Sequence, residues 1–318
     1  MELIKIEPIF YIYNYSWDEN EEALCALEKR AFFEESSSST MLKSAVKIDP
    51  SRSPFIRGRL DVLFEEASLE LLMEQVKNLE VVETSFKVEF IQQPKFASPE
   101  RIPMDERRKI EKEVGLHIRG KVDLKDPEIL FGIMEYSGRW LFGQYVKNQA
   151  IWLKHHNKPN SYSTALSTRV ARAVANIAAP NPDGIKLIDP CCGIGTVLVE
   201  ALSMGMDIVG SDRNPLVLQG TRANLTHFGL ETDVKLQDIH DVTGSYDVAI
   251  IDLPYNLCSV ISTDEQLELL SSARRIATKV VIVTLEEVDQ NIEKAGFTIV
   301  DRCDVRKGKF VRQVLVCK

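Results

Sequence analysis

Asp189-Pro190-Cys191-Cys192-Gly193-Ile194-Gly195-Thr196 decides how the second half of this chain is read. The stretch follows the short apolar run 186–189, which reads as a strand, and leads into 196–204, which reads as a helix. Gly193 and Gly195 allow backbone dihedrals barred to larger residues and let a ligand approach the main chain closely. Doubly wound sheets bind ligands at such loops, beyond the carboxyl ends of their strands. A dinucleotide fingerprint would require a further glycine at 198, where Leu198 stands. Asp189 would sit badly beside a pyrophosphate and well beside a cationic ligand bearing an amino-acid moiety.

Working outward, the chain alternates strands and helices. Strands are expected at 186–189, 207–211, 233–236, 246–252 and 279–284, with helices at 196–204, 215–228 and 263–277. The runs 297–305 and 310–317 read as a closing antiparallel hairpin, which dehydrogenase-type sheets lack. A lead-in helix carries Leu166, Val170, Val174 and Ile177 on one side, with Arg169 and Arg172 expected on its surface. The fold class is therefore α/β, a Rossmann-like sheet with a C-terminal antiparallel hairpin. Asp212 ends the second strand, where a carboxylate accepts both hydroxyls of a ribose. Asp238 ends the third, where it can accept from an adenine amino group while Ile239 packs on the ring. Asp189, Cys191, Gly193, Gly195, Thr196, Asp212, Arg213, Asp238 and Ile239 are the expected cofactor residues. S-adenosylmethionine is the expected cofactor, and no metal site is expected.

Asp252-Leu253-Pro254-Tyr255 closes the fourth strand. An exocyclic amine on a base is a poor nucleophile because its lone pair is delocalised into the ring. The Asp252 carboxylate and the Leu253 carbonyl can accept its hydrogens, Pro254 fixes the turn, and Tyr255 offers a stacking face. The expected reaction is methyl transfer to such an amine, driven by positioning and electrostatics. A paired nucleotide would have to leave its stack to reach the site.

The first half reads as α+β, with a helix at 21–33, a helix after Ser68, an alternating strand at 86–90, a charged helix at 105–114 ended by Gly115, and strands at 116–122, 129–136 and 140–146. The expected domains are a ferredoxin-like α+β region at 1–60, a second α+β region at 61–150, a linker at 151–162 and the catalytic domain at 163–318. The six cysteines form no zinc-type spacing and no disulfide framework. No apolar run reaches bilayer length and no secretory signal is visible, so a reducing, cytoplasmic setting is expected.

Net charge is −8, a poor start for a nucleic-acid partner. Its distribution says otherwise. Residues 1–90 hold 18 acids and 10 bases, and the remainder is neutral. No Asp or Glu occurs from 137 to 182, a stretch carrying Arg139, Lys147, Lys154, Lys158, Arg169 and Arg172 among Trp140, Tyr145, Trp152 and Tyr162. Phosphate binding follows local basic density, so Lys147, Lys154, Lys158, Arg169 and Arg172 are the expected RNA contacts. His155 and His156 are expected in a solvated linker, and Glu200 as a helix residue supporting the loop from below.

The chain resembles the THUMP-containing RNA guanine-N2 methyltransferases. The likeness rests on STALSTRVARAVANIA at 163–178, the Asp189–Glu200 motif, Gly210-Ser211-Asp212 and Ala223-Asn224-Leu225. In the first half it rests on Lys109-Ile110, Gly115-Leu116-His117-Ile118 and Val122-Asp123-Leu124 with Pro127. The resemblance implies that 61–150 is a THUMP-like RNA-binding domain, that the first half grips RNA, with tRNA as the expected partner, and that it presents a guanosine for methylation at N2. The family usually has two prolines after the motif acid, and Leu253 stands at the first. Two other readings use the same residues: a methyltransferase for adenine or cytosine amino groups, and a binding protein that has lost turnover.

Overall fold

The computed structural model describes residues 6–92, 102–162, 165–253, 262–307 and 310–318. Its chain divides into two compact units interleaved in sequence. One comprises 1–16, 37–51 and 55–149, and the other 17–36, 52–54 and 150–318.

The elements of the first half are β1 (Phe10–Tyr15), α1 (Glu22–Phe33), β2 (Met41–Ser44), β3 (Ile56–Glu66), α2 (Leu69–Val76), β4 (Glu80–Phe90), α3 (Met104–His117), β5 (Arg119–Val122), β6 (Ile129–Tyr136) and β7 (Arg139–Lys147). All seven strands form one sheet in the order β2-β1-β3-β7-β6-β4-β5. Strand β3 crosses the boundary expected at 60/61, because it pairs with β1 and β7 on both sides of that point. Helices α2 and α3 cover one face through Leu72, Val76, Ile110 and Val114, which pack on Phe86, Phe131 and Phe142. Ser68 caps α2 as its sequence suggested, its Oγ accepting from the Leu71 N–H at 3.3 Å. Gly115 does not end α3. The helix runs two residues further, to His117, so the strand expected from 116 begins only at Arg119.

Helix α1 belongs to the second unit. That unit continues with α4 (Thr168–Ala178), β8 (Lys186–Asp189), α5 (Thr196–Ser203), β9 (Asp207–Asp212), α6 (Pro215–His227), β10 (Val234–Leu236), β11 (Tyr246–Asp252), α7 (Thr263–Ile276), β12 (Ala277–Thr284), α8 (Asp289–Lys294), β13 (Ile299–Lys307) and β14 (Phe310–Cys317). The sheet order is β10-β9-β8-β11-β12-β14-β13. Strands β8 to β12 run parallel, and β14 enters antiparallel between β12 and β13. The closing hairpin is present, and its second strand lies inside its first. This is a Rossmann-like sheet closed by a C-terminal antiparallel hairpin.

Alternation along the strands separates two faces. Ala249, Ile251, Val280, Ile282 and Leu315 pack under α7 and α8 with Leu270, Ala273 and Ile292. The opposite face, carrying Val248, Ile250, Val281 and Val283, is covered by α4. Ser167 caps α4, its Oγ accepting from the Val170 N–H at 3.3 Å. At the other end the half-buried Lys279 ammonium donates to the carbonyls of Ile177 and Ala178 at 2.8 and 2.7 Å. The stretch 151–162, expected as a linker, opens with the 3-10 turn Ile151–Asn157, which buries Trp152 and His155. No helix among the described residues is long and apolar enough to cross a membrane.

Candidate active site

Strand β8 ends at Asp189, β9 at Asp212 and β11 at Asp252, while Asp238 caps the 3-10 turn that follows β10. All four carboxylates line one cavity of about 390 Å³, together with Cys191, Gly193, Thr196, Arg213, Ile239 and Leu253. Glu265 and Glu268 of α7 and His240 also line it, so among the described lining residues six acids face one guanidinium. Such a wall attracts a cation and repels a pyrophosphate.

The loop between β8 and α5 is held from three sides. Gly193 and Gly195 both take positive φ, 52° and 77°. A Cβ on Gly193 would meet nothing within 4 Å, leaving its main chain open to the cavity, whereas one on Gly195 would lie 2.6 Å from Thr221 Cγ2. The first glycine is thus a ligand-side position and the second a packing position. Asp212 accepts the Gly193 N–H on Oδ2 and the Asn214 N–H on Oδ1, both at 2.9 Å. Each oxygen retains acceptor capacity. From α6, the Thr221 hydroxyl donates to the Gly193 carbonyl, and Asn224 Nδ2 donates to the Ile194 carbonyl at 2.9 Å. These two braces went unread in the sequence, although Asn224 lies within a motif that carried the family resemblance.

The four acids differ in environment. Burial pushes the Asp189 carboxyl well above the usual range, against the Cys191 N–H donated at 3.2 Å, and Asp212 and Asp252 raise it further. Burial also acts on Asp238, but hydrogen bonds from the His240 N–H at 3.1 Å and its ring Nδ1 at 2.5 Å hold it below the usual range. Arg213 lies 3.9 Å from Asp238. Asp252 is pushed up to about 7 by burial, with Arg312 pulling the other way. Its Oδ1 is sequestered from solvent and has no hydrogen-bond partner among the described residues. A buried carboxylate oxygen without a donor is costly, and here it belongs to a side chain lining the cavity. The set fits a cationic nucleoside cofactor with an amine held nearby. Leu253 is buried and donates its N–H to the Val283 carbonyl at 2.8 Å. Pro254 and Tyr255 lie outside the described residues.

The basic residues fare differently. Lys147 pairs with Glu89 at 2.8 Å. Lys154 is exposed. Lys158 donates to Thr196 Oγ1 at 3.0 Å, at the start of the helix that follows the cofactor loop. Arg169 is clamped by Glu21, with its closest contact 2.6 Å, and its guanidinium lies 5.1 Å from the Trp152 ring centroid. Arg172 corrects the surface expectation: it is 1% exposed and donates to Glu200 Oε2 at 2.8 Å, Ser203 Oγ at 2.9 Å and the Arg52 carbonyl at 2.9 Å. His155 is likewise buried, not solvated, its Nδ1 2.7 Å from Glu200 Oε1. The acid-free stretch is therefore no continuous basic face. Acids from elsewhere in the chain take up most of its cations.

Residues 155–282 match the UPF0020 family, an RMKL-like methyltransferase domain. Over 177 residues the chain is 30% identical to the tRNA (guanine(10)-N2)-dimethyltransferase of Methanothermobacter thermautotrophicus, covering 51% of each. Over 146 residues it is 30% identical to the human U6 snRNA (guanine-N(2))-methyltransferase THUMPD2, covering 44% of this chain and 28% of that one. The chain thus spans about half the length of the archaeal relative, and less of the human one. Among solved structures, that of TrmN from Thermus thermophilus shares the fold, with TM-score 0.50 and 17% identity over 97% of this chain and 99% of that one.

Proposed function

From a second unit that carries a UPF0020, RMKL-like methyltransferase domain over residues 155–282, we propose that this protein transfers a methyl group from S-adenosylmethionine to the N2 amine of a guanosine in RNA, with tRNA as the substrate class. The relatives named above act on guanine N2, which supports the choice of atom. One observation carries the reading: Asp252, whose Oδ1 is buried without a donor among the described residues, lines one cavity with Asp189, Asp212 and Asp238.

S-adenosylmethionine, when bound, supplies a methyl group on a sulfonium that makes it a good leaving-group system. Asp189 and the Gly193 main chain would hold its amino-acid end, Asp212 its ribose and Asp238 its adenine amine, with Cys191, Thr196, Arg213 and Ile239 lining the same space and Gly195 fixing the loop. The Asp252 carboxylate accepts a hydrogen of the guanine amine, and the Leu253 carbonyl accepts the other. Both hydrogens held in this way, the nitrogen lone pair turns out of conjugation. As the new N–C bond forms, the amine sheds one proton, and a carboxylate tuned to about 7 is matched to receive it at neutral pH. Pro254 and Tyr255 keep their proposed parts in the turn and the stack. The first half would present the RNA as a THUMP-like module, with exposed Lys154 contributing to phosphate contact. The five described cysteines are free thiols, which fits the reducing cytoplasm.

The test is incubation of the protein with labelled cofactor and unmodified tRNA, ribosomal RNA or duplex DNA, followed by mass spectrometry of the nucleosides. N2-methylguanosine in tRNA is the expected product. Label only in DNA would establish an adenine or cytosine amino-methyltransferase, and cofactor binding without transfer to any substrate would establish a protein that has lost turnover.

A further inference from the structure

We propose that Arg312 is a positioning residue of this site, the cation against which the Asp252 carboxylate is kept in its hydrogen-accepting form. This inference rests on the methyltransferase reading and extends it to a strand far along the chain.

The placement follows from strand register. Asp252 pairs with Val283 of β12, and Val283 pairs with Val314 of β14. Residues directly opposite across a ladder share a face, and so do residues two apart along a strand. Asp252, Val283, Val314 and Arg312 therefore project from one face, the one covered by α4. Gln313 pairs with Thr284, the last residue of β12, so Arg312 lies one step beyond, at the carboxyl edge where Asp252 also sits. Arg312 is only 8% exposed. A guanidinium and a carboxylate on one edge and one face, both shielded from water, interact far more strongly than they would at the surface.

The other charged groups around Asp252 do not substitute for it. Asp189 on β8 and Asp212 on β9 are acids, as are Asp238 beyond β10 and Glu265 and Glu268 on α7. His240 is 2.5 Å from Asp238, and Arg213 also faces that acid. On α4, Arg169 is bound to Glu21 and Arg172 to Glu200. Tyr162 and Cys191 also line the cavity. Burial drives Asp252 toward its protonated form, in which one oxygen becomes a donor and repels the amine hydrogen. Arg312 is the basic group that opposes this.

The experiment is the pH profile of kcat/KM for unmodified tRNA between pH 5.5 and 9 at saturating cofactor, for the wild type, Arg312→Gln and Arg312→Lys. Cofactor affinity and melting temperature are measured alongside. Wild-type activity is expected to rise through pH 7. If loss of the cation moves that limb up by about one unit, Arg312→Gln loses about fivefold at pH 7 and less than twofold at pH 9. Arg312→Lys restores most of the shift, and cofactor affinity changes little in either. A wild type inactive on every RNA would sink the activity itself. An active wild type whose acid limb stays put in Arg312→Gln would overturn only the role given to Arg312. An equal loss at all pH values, not rescued by lysine, would also overturn it and point to packing or to direct RNA contact.

Discussion

Asp252 and Asp212 sit in the same cavity, yet their bonding separates their tasks. Asp252 has an oxygen without a donor among the described residues, whereas Asp212 has both oxygens engaged, one by Gly193 of the β8–α5 loop and one by Asn214 ahead of α6. Asp252→Ala should lower methyl transfer by about a hundredfold or more while cofactor affinity stays within about threefold, read by single-turnover kinetics and calorimetry. Asp212→Ala should act the other way, weakening cofactor binding by about tenfold or more, since it removes both a loop brace and a ribose acceptor. An unchanged dissociation constant would remove Asp212 from the binding set. Leu253 adds a case peculiar to this chain. Its N–H donates to the Val283 carbonyl and its side chain is buried, so leucine extends the ladder where proline would end it. Leu253→Pro should destabilise the fold by about 1–3 kcal/mol by urea titration, leaving a buried carbonyl without its donor.

Helix α4 shows why some of the site was legible in sequence and some was not. The strand-end acids were legible because apolar runs stop at a charged residue, and the alternation of elements gives those stops a common edge. The burial of Arg172 and His155 was not. Both default to the surface, and the acid that draws them in, Glu200, lies 28 and 45 residues away. Nothing local announces such a pairing. The same network continues to Glu28 on α1, which accepts from the Ser53 hydroxyl and from Asn176 Nδ2 at 2.8 Å. Burial pushes Glu28 up to about 7, against those bonds and against Arg52 and Arg172. Its folded value lies above the unfolded one, so the folded chain holds the proton more tightly. The stability this contributes is present at low pH and is lost as pH rises from about 4.5 through about 7. Glu28→Gln, which keeps an acceptor and carries no charge, should flatten the fall in stability over that window, measured by urea melts at several pH values. Asp189 and Asp252 shift in the same direction and would leave a residual slope.

Division of the whole chain was the least legible feature. An amphipathic helix declares that one face is buried but not against what, and α1, early in the sequence, reads naturally as part of the first domain. It packs instead in the second unit, where Arg30 donates to Asp301 at 2.7 and 2.9 Å and Glu21 clamps Arg169. A chain beginning at Ala150 should therefore melt well below the full-length protein or fail to fold, and added peptide 17–36 should restore part of the loss. Equal melting of the two would refute the division. For RNA, charge reversal at Lys154 should weaken binding and lower the slope of affinity against salt by about one. Reversal at Arg172 should unfold the protein before it informs on RNA, because it would place a carboxylate against buried Glu200.

The Arg30–Asp301 bond also fixes an order of events at the ribosome. Its partners stand 271 residues apart, so at ordinary synthesis rates of about 5–20 residues per second the helix emerges roughly 15–50 s before the strand that completes its berth. Until α4 has been made, Leu24, Leu27 and Phe32, all buried in the finished protein, lack their first tertiary neighbour, and β13 completes the berth only later. The nascent chain thus carries an exposed greasy helix through much of translation, making it a natural client for chaperones that meet polypeptides at the exit tunnel.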